Sequence, residues 1–130
     1  MTSAFIEAKQ LQLALKRIPQ QTEITLTLLT KCRAIACYND NPIASSGIEA
    51  LGVFVNSLSS LLTQVDARLI FHSKHCLNIS GDEHTMWDYQ VVIAFSSISS
   101  ITELLSLEAF HDILPHFYAG ASKYDTVISY

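Results

Sequence analysis

The chain has 130 residues, 49% apolar and only 15% charged, with a net charge of −4. That is long enough to bury a core without disulfides or a structural metal, and it is greasier than an ordinary domain, in which about a quarter of residues are charged. The longest uncharged runs, 50–65 and 89–102, fall short of the roughly 20 apolar residues of a spanning helix, so the apolar surplus points to a protein partner and not to a membrane.

Glu7 and Lys9 interrupt the first apolar stretch, which therefore lacks the core of a secretory signal, and a cytosolic location is expected. Cys32, Cys37 and Cys76 are odd in number, and their C-x4-C spacing is not that of a zinc knuckle, so reduced thiols are expected. Residues 1–33 hold five basic and two acidic side chains, net +3, against −7 for the remainder. Such an end pairs naturally with the acidic remainder of the same chain or of a second copy. Nucleic acid is not expected as a partner, because no clustered basic stripe with interleaved aromatics is present.

In chain order, Ala4, Ala8, Leu11, Leu15 and Ile18 predict a first helix over 3–17, capped by Thr2 or Ser3 and ended by Pro19. A second helix opens at Thr22 and carries Leu28, Leu29, Cys32 and Ile35 inward. A strand over 23–29 competes with it, because Ile24, Leu26 and Leu28 alternate and the intervening threonines are β-branched. Asn39, Asp40, Asn41 and Pro42 break the chain.

A third helix then starts with Ser46 and Glu49 as a capping box. Its seam, Ile48, Leu51, Val55, Leu58, Leu62, Val65, Leu69 and His72, has heptad a/d spacing over about seven turns. After a connector at 78–82, Asp82 or Gly81 opens a fourth helix with the seam Trp87, Val91, Ala94, Ile98, Ile101 and Leu105. Two seams so close predict a long antiparallel helical hairpin. A short fifth helix from Ser106 or Leu107 meets Pro115 and stops at Gly120, and 122–130 is an arm or a frayed end. The expected fold is all-α: one domain over 1–130, an antiparallel helical bundle of four main helices plus a short fifth.

Potential ligands concentrate at the expected hairpin tip: His72, His75 and Cys76 on one helix face, with Glu83, His84 and Asp88 returning toward them. Imidazole and thiolate are zinc ligands, which makes His72, His75, Cys76 and His84 the candidate metal set. Arg68 and His75 also resemble the R-x4-6-H pair of HEPN-type helical ribonucleases. That resemblance implies phosphate stabilisation by Arg68 and proton transfer by His75. Glu108 and His111 form a single E-x2-H, which a di-iron carboxylate bundle needs in duplicate.

No Gly-rich phosphate loop, nucleophile elbow or CxxC pair occurs, so no cofactor is expected. The reading is a small cytosolic interaction or regulatory module without catalysis, homodimeric or bound to another protein. The alternative is a metal-dependent or HEPN-like RNA-cleaving enzyme working at the hairpin tip.

Overall fold

The computed structural model describes residues 5–39, 41–42, 45–81 and 86–130. Helix α1 (Ala8–Arg17) leads into β1 (Ile24–Cys32), a small hairpin of β2 (Cys37–Tyr38) and β3 (Asn41–Pro42), and helix α2 (Gly47–Leu62). Then follow a 3-10 turn (Thr63–Val65), strands β4 (Ala67–Ser73) and β5 (Tyr89–Phe95), helices α3 (Ile98–Ser106) and α4 (Glu108–Gly120), and β6 (Ala121–Ser129). β1, β4, β5 and β6 form one antiparallel sheet in the order β4-β5-β1-β6. The all-α bundle is thereby overturned: the chain is α+β.

The correction has a local cause in each element. In β1 the alternating rule prevails over the helical one: Ile24, Leu26, Leu28 and Thr30 are buried on one side, with β-branched threonines between them. The expected long third helix stops after Leu62, because Asp66 takes a left-handed conformation, φ 55°, that turns the chain into β4. The expected fourth helix divides. Val91 and Ala94 satisfy a helical seam, but Tyr89, Val91, Ile93 and Phe95 also alternate, and this aromatic and β-branched run forms β5. Of that seam only Ile98, Ile101 and Leu105 remain helical, in α3, where Leu104 joins Ile98 and Ile101 in the core. The two halves of the expected hairpin do run antiparallel, as β4 against β5. The tail from Ala121 pairs with β1 along its length.

Ser46 and Glu49 form the capping box of α2, with Glu49 N donating to Ser46 Oγ at 3.1 Å and Ser46 N to Glu49 Oε1 at 2.9 Å. The expected caps at Thr2, Ser3 and Asp82 lie outside the described residues. Gly47–Val65 is long and apolar enough to resemble a spanning segment, but Leu51, Phe54, Val55, Leu58 and Leu62 are spent on the core.

The helices cover one face of the sheet. Cross-strand rows on that face include Leu69, Ile93, Leu26 and Ile128, then His72, Val91, Leu28 and Thr126, and finally Tyr89, Thr30 and Tyr124. Above them Phe5, Phe54, Phe110 and Phe117 pack ring against ring, Phe117 lying 5.2 Å from both Phe5 and Phe54. The opposite face carries Arg68, Ala94, Thr25 and Ser129 in one row, Phe71, Val92, Thr27 and Val127 in the next, and Ser73, Gln90, Leu29 and Asp125 in a third. Eleven of these twelve residues lie outside the buried core, and Ala94 alone is buried.

Candidate functional site

The strand assignment redistributes the expected tip. Arg68 stands near the start of β4 and His75 two residues past its end, with five strand steps of roughly 3.3 Å between Arg68 and Ser73, so the pair is not presented on one helix face. Arg68 instead reaches Glu23 at 3.8 Å, an exposed pair of small energetic weight. His72 faces the helix side, its ring nearly parallel to that of Tyr89 at 6.5 Å. His75 follows β4 and accepts, through its carbonyl, a 2.9 Å hydrogen bond from Ser73 Oγ. His84 lies outside the described residues. Among the described residues no group of three or more His, Cys, Asp and Glu side chains converges as a metal would require. His116, which has no evident partner in the sequence, sits 2.7 Å from Tyr38 Oη through Nδ1, and His111 Nε2 lies 2.7 Å from the Leu105 carbonyl.

What the fold does assemble is a polar corner at one end of β1 and β5. Asp88 Oδ2 accepts from Cys32 N at 2.8 Å, and Asp88 N donates to the Thr30 carbonyl at 2.9 Å. Burial first, then the neighbouring Asp88 and Cys76, push the Cys32 thiol up to about 11. Burial and Asp88 raise the Cys76 thiol as well, so both sulfurs are held as thiols at neutral pH, weak nucleophiles. Burial and the adjacent Cys32 raise the Tyr89 phenol.

Two hydroxyls in this corner, Thr30 Oγ1 and Tyr89 Oη, are buried without a hydrogen-bond partner among the described residues. They belong to directly opposed residues of β1 and β5. A buried unpaired hydroxyl costs roughly 1–3 kcal/mol. Thr30→Val is therefore expected to preserve the fold and raise the unfolding free energy by about 1 kcal/mol in urea denaturation. A loss of that size would show that the hydroxyl has a partner. Sequence reasoning brought Cys76 and Asp88 together but passed over Thr30, Cys32 and Tyr89 beside them, although a signal existed: the buried alternation of β1 ends on a threonine where an apolar residue belongs.

The second candidate is the uncovered sheet face. A solvated antiparallel face is ordinarily polar. Here Phe71, Val92, Val127 and Leu29 stand among threonines, with Arg68, Asp125, Lys31 and Lys123 at its margins. Apolar centre and charged rim are the anatomy of an association surface.

Comparison with protein-family models finds no match, and comparison with curated sequences finds none either. Solved structures do match. RPA0582 of Rhodopseudomonas palustris, a protein of unknown function, aligns with a TM-score of 0.80 at 15% identity over 98% of this chain and 96% of its own. A dimeric protein of unknown function with a ferredoxin-like fold from Bacteroides fragilis aligns with a TM-score of 0.58 at 12% identity, over 85% of this chain and 98% of that one. SnoaB of Streptomyces nogalater, a cofactor-independent oxygenase, aligns with a TM-score of 0.54 at 10% identity, over 83% and 91%. At these identities the likeness establishes the fold alone: a ferredoxin-like α+β sheet preceded by the additional helix α1.

Proposed function

We propose that the protein is a homodimeric, non-catalytic interaction module of the cytosol, in which two copies press together the uncovered faces of their sheets. The observation that carries this reading is the apolar centre of that face, the row Phe71, Val92, Thr27 and Val127. A two-fold axis along this row presents the same patch of each copy to the other, as an isologous interface requires. The Bacteroides fragilis protein of the same fold is described as dimeric, which favours association of this kind. The three unpaired thiols suit a reducing compartment.

Phe71 and Val127 are half exposed, at 49% and 50%, so lysine at both positions leaves the subunit core intact. Phe71→Lys with Val127→Lys is expected to convert a dimer into a monomer in sedimentation velocity with an unchanged far-UV spectrum. A double variant that stays dimeric assigns the interface elsewhere.

A second reading, a small-molecule enzyme that needs no cofactor, draws on the orphaned hydroxyls of Thr30 and Tyr89 and on SnoaB's described activity. It is favoured if Thr30→Val and Tyr89→Phe stabilise the protein while abolishing a ligand-induced rise in melting temperature, since functional sites commonly sacrifice stability.

A further inference from the structure

Among the described residues β6 is an outermost strand, bonded to β1 on one side only. Beside its other edge, beneath α1, runs a groove of about 640 Å3, within the size range of ligand clefts. The strand contributes residues 124–128 in unbroken succession to its wall. Successive strand residues point to opposite faces, so five in a row line one groove only along the edge, where backbone groups are presented. Among the described residues, no backbone hydrogen bond other than those to β1 engages residues 125–129. The edge has neither a proline nor a bulge to blunt it, since the one register shift with β1 lies near Lys31 and Cys32.

The groove is electrostatically polarised along its length. Thr126 Oγ1 donates to the Phe5 carbonyl at 3.2 Å, which sets the start of α1, and with it Glu7, near Asp125. α1 then carries Arg17 about 15 Å away at 1.5 Å per residue, toward Tyr130, and all four side chains line the groove. Among the described residues, Glu7, Asp125 and Arg17 have no ion-pair partner. Between these ends the wall is apolar, with Leu13 and Val127 half exposed.

We infer that this groove receives an extended peptide segment of a partner protein, which adds to β6 as a fifth strand with an acidic group at Arg17 and a basic group between Glu7 and Asp125. About five extended residues span the distance between the charged ends at roughly 3.3 Å each. Main-chain hydrogen bonds to the free edge supply affinity, and the charged ends fix register and direction, the division of labour seen wherever a peptide completes a sheet. Resting on the interaction-module reading, it names that module's partner chemistry; the groove shares Asp125 and Val127 with the proposed dimer face, and the rest of its lining lies outside that face.

The probes are two end-blocked, fluorescein-labelled peptides, Lys-Val-Thr-Val-Glu and Glu-Val-Thr-Val-Lys, which present the charges in the two strand directions. In fluorescence anisotropy one is expected to bind roughly tenfold more tightly than the other, and N-methylation of its central residues to abolish binding. The charge-swapped variant Arg17→Glu with Glu7→Lys and Asp125→Lys is expected to reverse the preference. Neither peptide binding at millimolar concentration, an N-methylated peptide binding as well as its parent, or an unreversed preference would overturn the inference. A lower molar mass of the charge-swapped variant would likewise overturn it, because the groove would then be filled by a second copy of this chain. If instead Phe71→Lys with Val127→Lys leaves the molar mass unchanged while the peptide preference reverses on charge swapping, the groove stands and the sheet-face dimer falls.

Discussion

Phe117→Ala is expected to cost about 3–5 kcal/mol of unfolding free energy. Phe117 is fully buried on α4 and is the hub of the aromatic core. It meets Phe5 edge-on at 5.2 Å and 87°, Tyr124 at 4.8 Å and 73°, and Phe54 tilted at 5.2 Å. Its ring therefore joins the N-terminal segment, α2, α4 and β6 at one point. Truncation removes the burial of the ring, leaves a cavity that four separate elements cannot close together, and forfeits edge-to-face attractions worth about 0.5–1.5 kcal/mol per pair beyond burial. Against a total stability of about 5–15 kcal/mol, the variant stands near unfolding. Phe117→Leu, which keeps much of the volume, is expected to recover more than half of the loss in urea denaturation. A loss below about 1 kcal/mol for the alanine variant would mean that the four rings are not packed as described.

Gly47→Ala is expected to be as damaging although it adds a single methyl group. Gly47 opens α2 where three segments cross: its N–H donates to the Arg33 carbonyl at 3.0 Å, and Arg33 N donates to the Gly120 carbonyl at 2.8 Å. A Cβ at position 47 would lie 2.7 Å from Arg33 N and 2.8 Å from the Gly120 carbonyl oxygen, and closer still to the Arg33 carbonyl oxygen. All three are backbone atoms, so no rotamer change relieves the overlap. Either the hydrogen bonds break or α2 separates from α4. A cost of about 3 kcal/mol or more follows, whereas Gly52→Ala, with open space around its Cβ position, is expected to stabilise α2 by about 0.5–1 kcal/mol. Equal melting temperatures for the two variants would contradict this crossing of chains.

The helices were legible in the sequence where a single periodicity applied. Leu11, Leu15 and Ile18 mark α1, Ser46 and Glu49 fix the start of α2, and Gly120 closes α4. The sheet was obscured because its strands satisfy two rules at once. Val91, Ala94 and Ile98 are spaced as a heptad seam, yet Val91, Ile93 and Phe95 are spaced as a strand, and only pairing with β1 and β4 decides between them. The seam through Leu62, Val65 and Leu69 likewise crosses a turn that no glycine or proline announces, because Asp66 takes the left-handed conformation. The candidate sites depended on that error. His72, His75 and Cys76 share a face only on a helix, whereas the sheet brings together two stretches more than 50 residues apart in sequence, Thr30 with Cys32 and Asp88 with Tyr89, through the β1–β5 register. The uncovered face was equally hidden, since Phe71, Val92, Thr27 and Val127 form a row only after four strands have been placed in order.

The central claim is that two copies associate through this face, and the most direct measurement is the molar mass of the wild-type chain by light scattering across a range of concentrations. A mass of twice 14.4 kDa is the expected result. A mass of 14.4 kDa at every concentration would contradict the account, leaving the apolar row of the sheet without the partner that its composition demands.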